Sequence, residues 1–402
     1  MRILQITNKV PYPDNDGGTI ACLSMTKGFC SLGHQVSILA MSTLKHPTTL
    51  EEIPDEIRKL AEFILVEVPA PVTPSGAIRN LLFSKLPYNA GRFIDNHFEE
   101  ELTRLLKRKE FDLIQLEGLY VCPYIKTIRA NSQATVVYRA HNIESEIWGR
   151  TVRLAKGFKK LYLGILHKRL KKFETGYINA YDVLVPITRR DGETLNRLGN
   201  IKPVFVSQTG IDFSRLTPDL SLTEYPTVFH IGALDWAPNQ EGILWFLKNC
   251  WGELTQKYPQ LIFSVAGRNA PQWLIKKLNM KNVDFSGEIE DAYRFINSKA
   301  VMIVPLFAGS GMRIKIIEGM ALGKAIVTTT IGTEGIGTLH RENIMIANTA
   351  GEFSDAISEL IENKSLCEKI GLNAMRYIHE NFDNSVLAQR LANFYKKQMG
   401  WD

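Results

Sequence analysis

Cysteine is scarce in this sequence and follows no pattern: Cys22, Cys30, Cys122, Cys250 and Cys367 are odd in number, far apart, and never fall into a CxxC or Cys/His ligand spacing. That excludes a disulfide scaffold and a zinc site, and it points to reduced thiols in a cytosolic compartment. No apolar run reaches the roughly 18 residues that a spanning helix requires, so any membrane contact is expected to be peripheral. The opening MRILQITNKV is interrupted by Gln5 and Asn8 and is followed by no small-residue cleavage site, so it reads as a first strand. Also missing are low-complexity tracts, a GxGxxG after that strand to receive a dinucleotide, and a DxD leaving a strand to hold a metal.

An excess of either charge is lacking as well. Lys and Arg (48) barely outnumber Asp and Glu (42), leaving +6 over 402 residues, too little for a nucleic-acid partner unless it is clustered. One cluster exists. RLAKGFKKLYLGILHKRLKK, residues 153 to 172, sets Lys156, Lys159, Lys160, Lys168, Arg169, Lys171 and Lys172 among Leu161, Leu163, Ile165, Leu166 and Leu170. It reads either as a solvated helix face or as contact with an anionic lipid surface or anionic substrate, which would place the protein at the inner face of a membrane.

What the sequence does have is rhythm. RILQIT, QVSILAM, FILVEV, DLIQLE, TVVYRA and DVLVPI alternate with helical spans in the first half; VFHIGA, LIFSVAG, VDFSG, AVMIVPL, AIVTTT and IMIA do so in the second. Short β-rich runs separated by helices indicate parallel strands with crossover connections. The fold class is therefore α/β, two Rossmann-like doubly wound domains, 1–205 and 206–382, facing a central cleft. Residues 383–402 form a terminal helix with an apolar face of unspecified docking.

One stretch asks for chemistry. After the strand AVMIVPLFA comes GSGMRIKIIEGMALGKAIVTT. Gly309 and Gly311 let the backbone turn closely around a ligand, and a helix starting near Met312 would aim its unpaired N–H groups at the same point. Arg313 and Lys315 add cations to an end that is already positive, so an anion with the charge of a diphosphate is expected there. Glu318, one turn on, either pairs with Lys315 on the surface or accepts hydrogen bonds from ribose hydroxyls.

The run from Gly309 to Thr328 resembles the donor-binding segment of family 4 retaining glycosyltransferases of the GT-B type, and PYPDNDGG, RAHNIE, TGID, GALDWAPNQEG, FSVAGR and SGEIED follow in the family's order. The resemblance implies a metal-independent, retaining hexosyltransferase of polysaccharide biosynthesis with no cofactor. Its substrate would be a nucleotide-diphosphate sugar and its acceptor a glycan or lipid-linked hydroxyl. The C-terminal domain would bind the donor and the N-terminal domain the acceptor. Glu318 matches the glutamate that grips the ribose; where the family has a second glutamate touching the sugar, this chain has Ser310, as in a GSGMR subgroup. The family's diphosphate-binding Arg and Lys after the VFHIGA strand are replaced around Gly232 by Ala233 and a P-N-Q sequence, so Arg313 and Lys315 are expected to take over their work. The resemblance further implies donor contacts from Gly17 and Gly18, after a polar loop of Asp14 to Asp16 that could also be a plain turn. It implies the same for Arg268, Ser310, Gly311 and Met312, and a catalytic contact from His141 at the end of TVVYRA. A sugar-nucleotide epimerase, or a non-catalytic scaffold that binds nucleotide sugar, would share the architecture.

Overall fold

The structure, a computed structural model, describes residues 1–13, 16–213, 216–308 and 313–401. It separates into two units, Met1–Gly210 with Asn384–Asp402, and Ile211–Asp383. The first carries one parallel sheet of β1 (Arg2–Thr7), β2 (Gln35–Ser42), β3 (Glu62–Glu67), β4 (Leu113–Glu117), β5 (Thr135–Ala140) and β6 (Val183–Pro186). The second carries β7 (Glu224–Ile231), β8 (Phe263–Ala266), β9 (Val283–Gly287), β10 (Lys299–Val304), β11 (Ala325–Thr328) and β12 (Met345–Ile346).

The sheet orders are β3-β2-β1-β4-β5-β6 and β12-β11-β10-β7-β8-β9, the same doubly wound order in each. All recorded pairings are parallel, and the central strands are apolar because helices cover both faces. In each sheet the order reverses between the first and fourth strands, β1 and β4 or β7 and β10. The crevice beyond their carboxyl ends is where open α/β sheets bind ligands.

The terminal helix Asn384–Gln398 belongs to the first unit. It buries Leu387, Ala388, Leu391, Ala392 and Tyr395 against the helix Gly17–Ser31. Gly28 makes that approach possible, since a β-carbon there would sit 2.6 Å from Ala388 Cβ and 3.1 Å from the Asn384 carbonyl. In the second unit, the helical span after β7 consists of Ala237–Phe246, a π-type turn Leu247–Trp251 and Gly252–Lys257, with Cys250 and Trp251 both in the core. No helix among the described residues is long and apolar enough to cross a membrane.

Gly28→Ala should force the two helices apart and destabilise the protein by about 1–3 kcal/mol, the cost of overpacking. Gly164→Ala, in a helix with nothing within 4 Å of the added carbon, should be neutral or slightly stabilising. Urea unfolding of the two variants checks the contrast.

Candidate active site

In the first unit the carboxyl ends of β1, β4 and β5 gather a buried polar cluster around Glu117. His141 Nε2 lies 2.7 Å from Glu117 Oε2, and Arg139 Nη1 lies 3.4 Å from the same oxygen while donating to the Ala21 carbonyl at 2.9 Å. Gln115 donates to the other carboxylate oxygen, and so does Gln5 at 3.3 Å. Each amide oxygen in turn accepts a hydroxyl: Gln115 from Tyr395 of the terminal helix (2.7 Å), Gln5 from Thr26 (2.6 Å). Burial alone would raise the Glu117 pKa, but Arg139, His141 and Gln115 outweigh it and hold the group at about 2.

An ionised Glu117 fixes His141 with its proton on Nε2, because a carboxylate can only accept. In the neutral imidazole Nδ1 is then the lone-pair nitrogen, and nothing among the described residues bonds to it. His141 lines a cavity of about 180 Å³ with Thr7, Asp16, Gly118, Tyr120 and Glu144. Glu144 accepts from the Tyr120 hydroxyl at 2.7 Å; burial raises its pKa to about 7, so a carboxyl that shares its proton near neutrality borders the cavity.

Gly17 and Gly18 open the Gly17–Ser31 helix beside this cavity, but the Gly18 amide is already engaged. Asp16 caps the helix, its Oδ1 accepting from Gly18 N–H at 3.1 Å and Thr19 N–H at 3.0 Å, while Lys9 pairs with its other oxygen. A side-chain cap thus takes the Gly18 donor in this structure. Asp14 and Asn15 lie outside the described residues.

In the second unit, the helix Ile314–Ala321 follows β10 and has buried Arg313 at its N-cap. Lys315, in its first turn, donates to Asn239 Oδ1 at 2.6 Å and approaches His230 Nε2 at 3.5 Å. His230, on β7, bonds through Nδ1 to the Ile303 carbonyl of β10 at 2.9 Å, so its Nε2 is the lone-pair nitrogen. Burial first and the nearby Lys315 second push the His230 pKa well below its ordinary value, keeping it neutral. Burial, and then the charge of Arg313, lower the Lys315 pKa to about 7.

Asn239 sits in the first turn of Ala237–Phe246, so Lys315 marks where two helix beginnings meet. Among the described residues neither has a side-chain cap, as the helices that begin at Glu144, Gly157 and Gln272 have none, whereas those that begin at Gly17, Arg189 and Ala350 do. Two positive dipole ends and a lysine thus converge at the carboxyl ends of β7 and β10. The backbone there admits no side chain: a β-carbon on Gly232 would stand 3.3 Å from Lys315 Nζ, and one on Gly267 only 1.8 Å from the Gly232 carbonyl oxygen. Asn239 Nδ2 (2.7 Å) holds the Ala233 carbonyl, and the Leu234 amide (2.8 Å) donates to the carbonyl of Arg268.

A family model described as Glycosyltransferase Family 4 matches residues 15–215, and one described as Glycosyl transferases group 1 matches residues 225–363. The chain belongs to glycosyltransferase family 4. A protein of the cps region of Klebsiella pneumoniae, described as an uncharacterized 44.6 kDa protein, is 24% identical over 409 residues, covering 95% of this chain and 97% of that one. Among solved structures, sucrose-phosphate synthase from Thermosynechococcus elongatus matches over 100% of both chains, with a TM-score of 0.74 at 14% identity. Anabaena HepE in complex with UDP-glucose matches with 0.69 at 13%, over 99% of this chain and 100% of that one. At such identities the likeness shows the fold, which is GT-B.

Within this glycosyltransferase the expected residues fall into two groups. Lys315, Arg313 and Gly232 come together in the second unit, with the backbone of Arg268 beside them. Glu318 is on the same helix as Lys315 but turns to Tyr293, whose hydroxyl lies 3.3 Å from Oε1; burial raises its pKa to about 7. The two therefore do not form the surface pair that their spacing allows. His141 and Gly17 lie in the first unit. Ser310, Gly311 and Met312, and with them the GSGMR pattern, fall outside the described residues. Gln115, Tyr395 and His230 were given no place in the site from the sequence, and Gln5 only marked a break in an apolar run; Gln5, Gln115 and His230 are polar residues within largely apolar strands.

Glu117→Gln would leave the Arg139 charge buried without its partner. It should cost about 3–5 kcal/mol in urea unfolding, whereas an exposed Glu→Gln change such as Glu110→Gln should stay within about 0.5 kcal/mol.

Proposed function

We propose that this glycosyltransferase moves a hexose-type sugar from a nucleoside-diphosphate donor to a hydroxyl of a glycan or lipid-linked acceptor, with retention of anomeric configuration. The second unit takes the donor and the first the acceptor. One observation carries the reading: two uncapped helix beginnings converge on a lysine whose pKa is depressed to about 7. Such a place favours a dianion, which satisfies the amides and restores the ammonium. Anabaena HepE, solved with UDP-glucose on the same fold, supports a nucleotide sugar as that dianion.

In the transfer, the acceptor oxygen bonds to the anomeric carbon as the bond from that carbon to the diphosphate breaks. The departing diphosphate oxygen takes the hydroxyl proton on the same face. Lys315 and the helix amides stabilise the charge that develops on that oxygen, with no metal called upon. Glu318 receives the ribose hydroxyls. His141, held by Glu117, accepts a hydrogen bond at Nδ1 from the sugar or the reacting hydroxyl.

The lysine gives the donor half a signed test. With its pKa near 7, Lys315 is mostly neutral at pH 8, so binding a dianion should draw in a proton there and not at pH 6, where it is already charged. Calorimetry of UDP- and GDP-sugars in buffers of different ionisation enthalpy should show this uptake. Lys315→Met should abolish it and weaken binding about tenfold or more. Equal binding and equal uptake in wild type and variant would remove the donor assignment.

The transfer half is tested on His141. His141→Ala should lower kcat for acceptor-dependent nucleoside-diphosphate release roughly 100-fold while donor affinity changes little, and wild-type release should persist in excess EDTA. Lost affinity with normal turnover would count against the role given to His141.

A further inference from the structure

Two segments of the first unit contain no acidic residue at all, 68–94 and 147–173, yet together they carry twelve lysines and arginines. The fold sets them side by side. Arg169, on the helix Gly157–Tyr177, donates to the carbonyls of Asn80 (3.2 Å) and Leu81 (2.9 Å), near the end of the helix Pro74–Phe83. At the other end the hydroxyl of Tyr88 bonds to the Thr73 amide at 3.0 Å, and Tyr88 also acts electrostatically on Tyr162 of the longer helix.

The inner face of Gly157–Tyr177 is accounted for by Leu163, Leu166, Leu170 and Phe173, all buried. The helix Pro74–Phe83 buries no side chain. Its apolar residues stand in the open, Ile78 at 59%, Leu82 at 67% and Phe83 at 84%, and on the longer helix Phe158 is 93% and Leu161 66% exposed. Arg79, Lys85, Lys156, Lys159 and Lys160 of the same two segments are exposed as well. Large apolar tips ringed by cations, with no carboxylate in either segment, match a surface that is apolar beneath and anionic at its rim.

We propose that this paired-helix face docks on an anionic lipid bilayer, Phe83, Leu82 and Phe158 entering the headgroup boundary while the lysines meet lipid phosphates. The inference is independent of donor chemistry, since none of these residues lines either candidate site.

The test is flotation of the full chain with vesicles of phosphatidylcholine alone or containing about 30 mol% phosphatidylglycerol. Wild type should partition at least tenfold more strongly onto the anionic vesicles and lose that advantage between 0.1 and 1 M salt, as the screening length falls from about 10 to about 3 Å. Lys156→Glu/Lys159→Glu/Lys160→Glu should reduce partitioning on the order of 100-fold, a lysine near the surface being worth roughly fivefold. Phe83→Ser/Phe158→Ser should cost at least tenfold, while the corresponding triple Lys→Arg variant, with the same charge, should bind as wild type does. Circular dichroism melts confirm folding, which these exposed positions should not disturb. Failure of wild type to bind anionic vesicles would overturn the proposal, as would equal binding by all variants. So would sedimentation velocity revealing a dimer that Phe83→Ser/Phe158→Ser dissolves, which would make the face a self-association surface.

Discussion

Lys315 holds a charge where the fold resists one, and much of the second unit's local geometry follows from that. The ammonium faces Asn239 and a histidine kept neutral by its bond to the Ile303 carbonyl, with Arg313 close by and two helix beginnings directed the same way. A protein whose interest lay only in stability would place a cap or a carboxylate here, as it does at the Gly17 helix with Asp16. Gly232 lies so close to the lysine, and Gly267 so close to Gly232, that neither position has room for a side chain. Positive potential of this kind suits a ligand that brings its own negative charge.

The first unit treats charge in the opposite way on the same sheet order. At its switch point a guanidinium, an imidazole and two amides gather on one carboxylate, and Glu117 stays ionised in the interior because that network outweighs burial. A site already neutralised internally offers little to a diphosphate. It offers a fixed imidazole tautomer and a cavity bordered by a carboxyl that titrates near neutrality, features suited to a hydroxyl-bearing, uncharged ligand. Two copies of one topology thus differ in how they place buried charge, and a shared fold does not by itself fix the ligand.

Sheet strands were legible because parallel strands covered on both faces read as apolar runs, and each lies within a few residues of where the pattern puts it. Lys315 was legible for the reverse reason: a cation in a helix's first turn contradicts the dipole and asks for an explanation. What could not be read was partnership. Gln5 and Gln115 each interrupt an apolar strand, yet only the register of β1 beside β4 shows that both amides reach one carboxylate. His230 interrupts β7 in the same manner and meets Lys315 only through folding. Nor does the sequence show that the Gly18 amide bonds to Asp16, two residues before it, which caps the helix.

The terminal helix shows why partnership matters beyond packing. Its apolar face predicted that it docks, not where, and a hydrophobic stripe alone would fit many grooves. Tyr395 adds direction. Its hydroxyl is buried and donates to Gln115, whose amide then points its N–H group at Glu117, which holds His141. If that hydroxyl were removed, the Gln115 oxygen would lose its partner and the amide could turn, presenting an acceptor to a carboxylate; the arrangement is stable only in one orientation. The last residues of the chain are therefore joined through three hydrogen bonds to the histidine at the first unit's cavity.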